Sequence, residues 1–479
     1  MGFVRIFLTA LTLAAATVTT VLSLTVLPYY NDKSGQLEPL VIYTGILWAL
    51  FALAVVLLRK VPARAAVTLV IVGAVALGGA AMAGPPNTST DSARYAWDGI
   101  VQNAGISPYD YAPADPAVRH LRTEWLFPTP SVDASGEQYC AGDRVMQFHE
   151  LDTKAFACTT INRVKVPTIY PPTSEIFFAA ERLIVGSGAT FWPMQLFGLL
   201  MSLGITALLL VALRRRGLNP RWAALWAWSP LAATEGVTNS HIDILGALLL
   251  LVASLLVSTG RRGWGGVALG AAIAAKLMPV IGAPALLGRK PWKIILVSIA
   301  TFGVLYVPYV IASGIGVLGF LPGYLGEEGY ETGSRFILLS WFLPGISSTI
   351  VAALLIIAIG VITWVRSTPS NPWLGQVMMI GSILLIVSPR YSWYALLLVP
   401  MIAMSGRWEW LAVPFALTVR LLVGSIPLGR AVMLAAILLI VVVTIQRLNT
   451  DERTALKEQV RHPIRAFKTR RRLSTPGGF

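Results

Sequence analysis

Acidic side chains are scarce in this sequence. Its 479 residues carry 23 Asp and Glu against 38 Lys and Arg, and charged residues make up only 13% of the chain. A soluble protein of this length keeps about a quarter of its residues charged, so an ordinary water-facing surface is excluded. Mean hydropathy is +0.68. Histidine (4) and cysteine (2) are scarcer still. Neither His120 nor His149 stands at metal-ligand spacing from the cysteines, so no metal is expected. No glycine-rich phosphate loop or dinucleotide fingerprint occurs, and no cofactor is implied. The Gly266-to-Gly270 spacing is a small-residue helix contact.

What the chain has instead is apolar runs of about 20 residues, long enough to cross a bilayer, from end to end. The first, Ile6 to Leu27, is followed so closely by two more that it reads as a retained span and not a cleaved leader. The formal net charge of +15 does not point to nucleic acid. Its basic residues sit in short loops between apolar runs (Arg59, Lys60 and Arg64; Arg214 to Arg216; Arg261 and Arg262; Arg366; Arg407) and in the tail. That is the positive-inside pattern, with attraction to anionic membrane lipids.

Read on that rule, both termini are cytoplasmic. The chain is an all-α polytopic membrane protein with about twelve transmembrane helices and one re-entrant segment. Residues 1–83 hold three spans, 84–190 form a large extracytoplasmic loop, 191–446 form the transmembrane core, and 447–479 are a basic cytoplasmic tail. The re-entrant segment is placed near 264–287. Basic residues flank it on both sides, and Lys276 and Pro279 interrupt it; broken helices of this kind occur where protein or a wet cavity covers the freed backbone. Cys140 and Cys158 share the 84–190 loop, and two cysteines in an exported loop suggest a disulfide.

With so few acids, their positions are informative. Asp91 and Asp98 follow the third span, and Asp98 lies among aromatics in Arg94-Tyr95-Ala96-Trp97-Asp98-Gly99. A carboxylate held there can act as a base toward an alcohol, or simply cap a helix. Glu235, Asn239, His241 and Asp243 cluster where the chain turns between two spans. Ionisable groups at membrane depth are costly and mark functional sites by default, although a polar hairpin turn would look the same. Lys276, Arg335, Arg390 and Arg420 are cations that would seek an anion such as a phosphate; Arg390 and Arg420 could equally snorkel to headgroups.

The stretch ARYAWDGIVQNAGISPYDYAP, Ala93 to Pro113, resembles the polyprenyl-phosphate-sugar-dependent glycosyltransferases of the GT-C class, and looks most like the family 87 type found in actinobacteria. INRVKVPTIYPPTSEIFF from Ile161, NSHIDILGALLL from Asn239, AAKLMP from Ala274 and SPRYSWYALLLVP from Ser388 fit the same family. The resemblance implies a GT-C fold at the plasma membrane with an extracytoplasmic active site. It implies transfer of mannose or arabinofuranose, with inversion, from a polyprenyl-phosphate sugar donor to an envelope glycan or glycolipid acceptor. It puts the catalytic base in the first large external loop, at Asp98. Arg390, His241 and Lys276, then Arg335 and Arg420, are the candidates for the donor phosphate. Asp91, Glu235, Asn239, Asp243 and Tyr170 are those for sugar and acceptor. A transporter or flippase would carry paired broken helices, and this sequence shows one.

Overall fold

The structure, a computed structural model, describes residues 2–28 and 37–448. The basic stretch from Arg453 to Arg472 lies outside the described residues. The chain is an all-α polytopic membrane protein. Seven of its described helices are long and apolar enough to cross a membrane: Gly2–Val26, Leu37–Leu58, Ala63–Ala80, Trp192–Arg215, the stretch Trp292–Glu327, Ile346–Arg366 and Ile426–Arg447. At about 1.5 Å per residue, the shortest of these rises about 27 Å. Hydroxyls in the first helix are paid for locally: Thr9, Thr12 and Thr20 each donate to the carbonyl four residues back, which satisfies these groups within the helix.

The other apolar runs form shorter pieces. Pro230–Thr238 and Asp243–Ser258 are bent by 118° about the Asn239–Ile242 break, and count as an eighth span if taken together. The break is built from a π-helical turn at Thr234–Thr238 and a left-handed Ser240 at φ 55°. Trp373–Val387 and Ser392–Ser405 are shorter apolar helices, and Ala412–Val423 has only 12 residues. Helix Arg262–Ala275 stops at Lys276, whose backbone is extended. Pro279 and Pro284 lack the amide that would continue it, so a 3-10 turn at Met278–Gly282 and a short helix at Pro284–Leu287 follow. Gly266 and Gly270 face helix Trp292–Ser313, where an added Cβ would meet Val297 and Ser298.

Residues 84–190 form a separate layer across one end of the bundle. Two helices, Asp91–Asn103 and Pro172–Val185, pack on each other. Between them in sequence lie two antiparallel ribbons, which pair Ser131 with Tyr139 and Met146 with Thr159. A disulfide joins Cys140 to Cys158. Closing a loop of 18 residues stabilises this layer by about 3 kcal/mol in the chain-entropy model. Trp97, Val118, Leu126 and Ile161 form its own small core.

Candidate active site

A cavity of about 370 Å³ opens where the 84–190 layer meets the broken helices. Its lining includes the polar side chains of Asp91, Asn162 and Tyr170, the cations Arg144, Arg163, Lys276 and Arg335, the phenols Tyr324 and Tyr394, and the apolar Leu277, Met278, Leu384 and Val387. A pocket of this size suits a small substrate.

Asp91 is the first residue of its helix, where the unpaired N–H groups favour a carboxylate. Asn162 Nδ2 donates to its Oδ1 at 2.6 Å, and His241 Nδ1 lies 3.4 Å from its Oδ2. Burial is the largest influence on this carboxyl and pushes its pKa up. The hydrogen bond and charge of His241, the charge of Lys276 and the Asn162 bond outweigh it and hold the pKa at about 2.

Asp98, expected from the sequence to be the base, is not among the residues that line this cavity. It lies about 10 Å further along the same helix and is 1% exposed. Arg94 Nε donates to both its oxygens, at 2.9 and 3.1 Å, and Arg94 Nη1 donates to the carbonyl of Val166 at 3.0 Å. Burial pushes the Asp98 pKa up to about 6, against the opposing pull of Arg94 and Thr168. Glu175 lies beside this pair. It accepts from Thr168 Oγ1 and Gln102 Nε2, both at 2.7 Å, and burial with the Asp98 charge pushes its pKa well up. Asp98 thus pins the Asp91 helix to the segment at Val166 to Pro171, part of which lines the cavity.

The Glu235 cluster also lies behind the wall. His241 is wholly buried, and the ring of Trp393, which does line the cavity, stacks on it at 3.8 Å. His241, a sequence candidate for the donor phosphate, thus does not line the cavity itself. Glu235 accepts from Ser392 Oγ at 2.8 Å and from Asn239 Nδ2 at 3.2 Å. Asn239 Oδ1 accepts the backbone N–H groups of Asn87 and Thr88, at 3.0 and 3.1 Å. These side chains hold the loop that leads into Asp91; Glu235 and Asn239 do not line this cavity but do line a second, smaller one beside Asn87 and Thr88. Asp243 is likewise behind the wall, bonded to Lys276 Nζ at 2.5 Å.

The cations divide. Lys276 and Arg335 line the cavity. Lys276 Nζ sits 5.0 Å from the centre of the Tyr394 ring, and Tyr394 shares a 2.8 Å hydrogen bond with Tyr324. Arg335 is buried, paired with Glu328 and placed over Tyr330. Arg390 is exposed, and Arg420 lies in the Ala412–Val423 helix beside Gly429. Neither Arg390 nor Arg420 lines the cavity, whereas Lys276 and Arg335 do, together with Arg144 and Arg163. Tyr324, Tyr394, Trp393 and Asn162 join the site without having been singled out in the sequence. Tyr391, Trp393 and Tyr394 stand within the quoted SPRYSWY stretch, and Asn162 within INRVKV, but Tyr324 sits in a glycine-rich segment that offers no periodicity.

Residues 168–389 match the model of glycosyltransferase family 87. GPI mannosyltransferase 1 of Gibberella zeae is 31% identical over 130 residues, which is 26% of this chain and 25% of that protein. The chain thus spans about a quarter of that relative's length. No solved structure matches. The family match takes in Tyr170, His241, Lys276, Tyr324 and Arg335, whereas Asp91 and Asp98 precede it. Just under half of this multi-pass membrane chain thus resembles glycosyltransferase family 87.

Proposed function

We propose that the protein transfers a sugar, mannose first, from a polyprenyl-phosphate-linked donor to a glycan or glycolipid acceptor of the cell envelope, with Asp91 as the general base. The observation that carries this reading is one cavity whose lining combines the Asp91 carboxylate, apolar side chains such as Leu277, Met278, Leu384 and Val387, and the cations Lys276 and Arg335. The apolar side chains suit the first isoprenyl units of a lipid donor. Lys276 and Arg335, with the hydroxyls of Tyr324 and Tyr394, suit a phosphate. The acceptor hydroxyl reaches the anomeric carbon from the Asp91 side. Its oxygen forms the new bond as the bond from the anomeric carbon to the phosphate oxygen breaks. The electron pair leaves with the polyprenyl phosphate, and the hydroxyl proton passes to Asp91. Attack from the face opposite the leaving group inverts the anomeric centre. The cations stabilise charge that grows on the phosphate in the transition state.

This chemistry belongs on the extracytoplasmic side, with both termini cytoplasmic, because the basic residues of the short loops mark the other face. Mannose stands first because a matched relative is named a mannosyltransferase. Arabinofuranose on the same lipid phosphate is the second candidate. Purified protein in lipid nanodiscs, supplied with polyprenyl-phosphate mannose or polyprenyl-phosphate arabinofuranose and envelope glycolipids, separates them by the mass of the product. Transfer from neither donor, but from a nucleotide sugar, would sink the reading.

A further inference from the structure

Glu235, His241 and Asp91 form a buried polar chain that ends at the cavity. His241 Nδ1 faces Asp91 Oδ2 at 3.4 Å and His241 Nε2 faces Glu235 Oε2 at 3.3 Å. The ring is fixed in plane by Trp393, which stacks on it with 21° between planes. Trp393 is in turn backed by Tyr391 at 4.4 Å. Glu235 is held by two donors of its own, Ser392 and Asn239. Both His241 nitrogens are buried and make no hydrogen bond among the described residues, so these two carboxylates, in ion-pair range, are what they face. A neutral imidazole has one N–H and can serve one carboxylate; an imidazolium has a donor for each. Two carboxylates on the two nitrogens of one buried ring therefore specify the doubly protonated form.

We propose that Glu235 keeps His241 doubly protonated, and that His241 in turn aims the Asp91 carboxylate into the cavity and balances its charge. Glu235 and His241 are then positioning residues for acceptor deprotonation and not binding groups. The inference rests on Asp91 as the base. It accounts for a glutamate and a histidine that are buried behind a tryptophan yet lie in line with the one carboxylate that lines the cavity. It also accounts for the left-handed Ser240, since backbone strain in non-glycine residues gathers at functional sites and this turn places Asn239 and His241 on the same loop.

The test uses the full chain in nanodiscs with whichever lipid-phosphate sugar, mannosyl or arabinofuranosyl, supports transfer. Glu235→Gln and His241→Gln should each lower kcat about 10- to 100-fold, as the loss of an outer-shell partner does, while KM for the donor stays within about twofold. The double variant should be no slower than the slower single variant, because the two act as one unit. Ser392→Ala removes one donor from Glu235 with less disturbance and should lower kcat by about threefold; it decides the matter if the larger changes do not fold. Wild-type kcat in folded Glu235→Gln, a raised KM at unchanged kcat, or losses that multiply in the double variant would each overturn the proposal. Asp91→Asn separates the two levels. If it is inactive while Glu235→Gln is normal, the base survives and the relay falls. If it stays active, the base itself was misassigned.

Discussion

Asp91→Asn and Asp98→Asn, made side by side, divide the chemistry of the Asp91–Asn103 helix from its packing. Asparagine at position 91 keeps the shape of the side chain and one oxygen to accept the Asn162 bond. The structural loss is then a charge-assisted contact with His241, about 1–2 kcal/mol. The catalytic loss is larger, because an amide cannot take the acceptor proton; a positioned general base contributes about 10²- to 10⁴-fold. At position 98 the balance reverses. Asparagine there removes the counter-charge of Arg94, which is only 5% exposed. Breaking a buried pair from one side costs about 3–5 kcal/mol, and the lower end applies because the neighbouring Glu175 can ionise and supply a counter-charge to Arg94 in its place. Asp98→Asn should lower the melting temperature by several degrees and leave kcat within about threefold. Asp91→Asn should abolish measurable transfer with a nearly wild-type melt. Product formation from the lipid-linked donor, followed by mass spectrometry, and detergent melting curves on the same preparations give both readouts. Full activity in Asp91→Asn, with an inactive but normally melting Asp98→Asn, would refute the assignment of the base and the cavity geometry behind it.

Lys276→Met should raise KM for the donor about 10- to 150-fold, the equivalent of about 1.5–3 kcal/mol for a hydrogen bond to a charged group, with a smaller effect on the acceptor; initial rates against donor concentration check it. The Asp98 carboxyl has a pKa of about 6 in the fold against a reference of 3.8, so the folded chain binds that proton more tightly than the unfolded one. The resulting stability, about 3 kcal/mol at most, is complete below pH 4 and lost as pH rises through 6. Melting temperatures between pH 4 and 7 should fall along that limb, and Asp98→Asn should flatten it. Reducing the Cys140–Cys158 bond should speed hydrogen exchange in the Met146–Thr159 ribbon, while transfer stays within about threefold, because neither cysteine lines the cavity.

Some of this arrangement is legible in the sequence and some is not, and the division follows the range of the interactions. A break near Lys276 can be read locally, because a lysine and two prolines within nine residues cannot continue an apolar helix. The sparse acids can also be read, since a carboxylate in an apolar chain must have a partner. Which acid faces substrate cannot. Asp91 and Asp98 are seven residues apart and so lie on nearly the same face of one helix. What separates them is that Val166, Thr168 and Glu175, some 70 residues away, close over the second and leave the first open. Tyr324 and Tyr394 likewise meet across a separation of 70 residues. Span counting meets a related limit. Leu411 to Val423 is as apolar as a crossing segment, but it forms a 12-residue helix, and hydropathy does not distinguish a short core helix from a span.

The proposed base and anion site share one pocket, which raises a physical difficulty. A carboxylate and an ammonium free to meet at low dielectric would pair with each other and leave nothing for substrate. Here each is tied from behind. Asp91 is held by His241, which is answered by Glu235; Lys276 is held by Asp243. The Lys276 charge acts on Asp91, yet no direct bond joins the two. Each buried charge is thus neutralised by a group outside the cavity, and the faces turned inward remain open for a hydroxyl on one side and a phosphate on the other. A donor phosphate arriving at Lys276 adds negative charge near Asp91, which raises the affinity of that carboxylate for a proton. The Asp91 carboxyl, with a pKa of about 2, would therefore become a better proton acceptor when a donor is bound. That order of events would keep the carboxylate weakly basic until the donor sugar is in place.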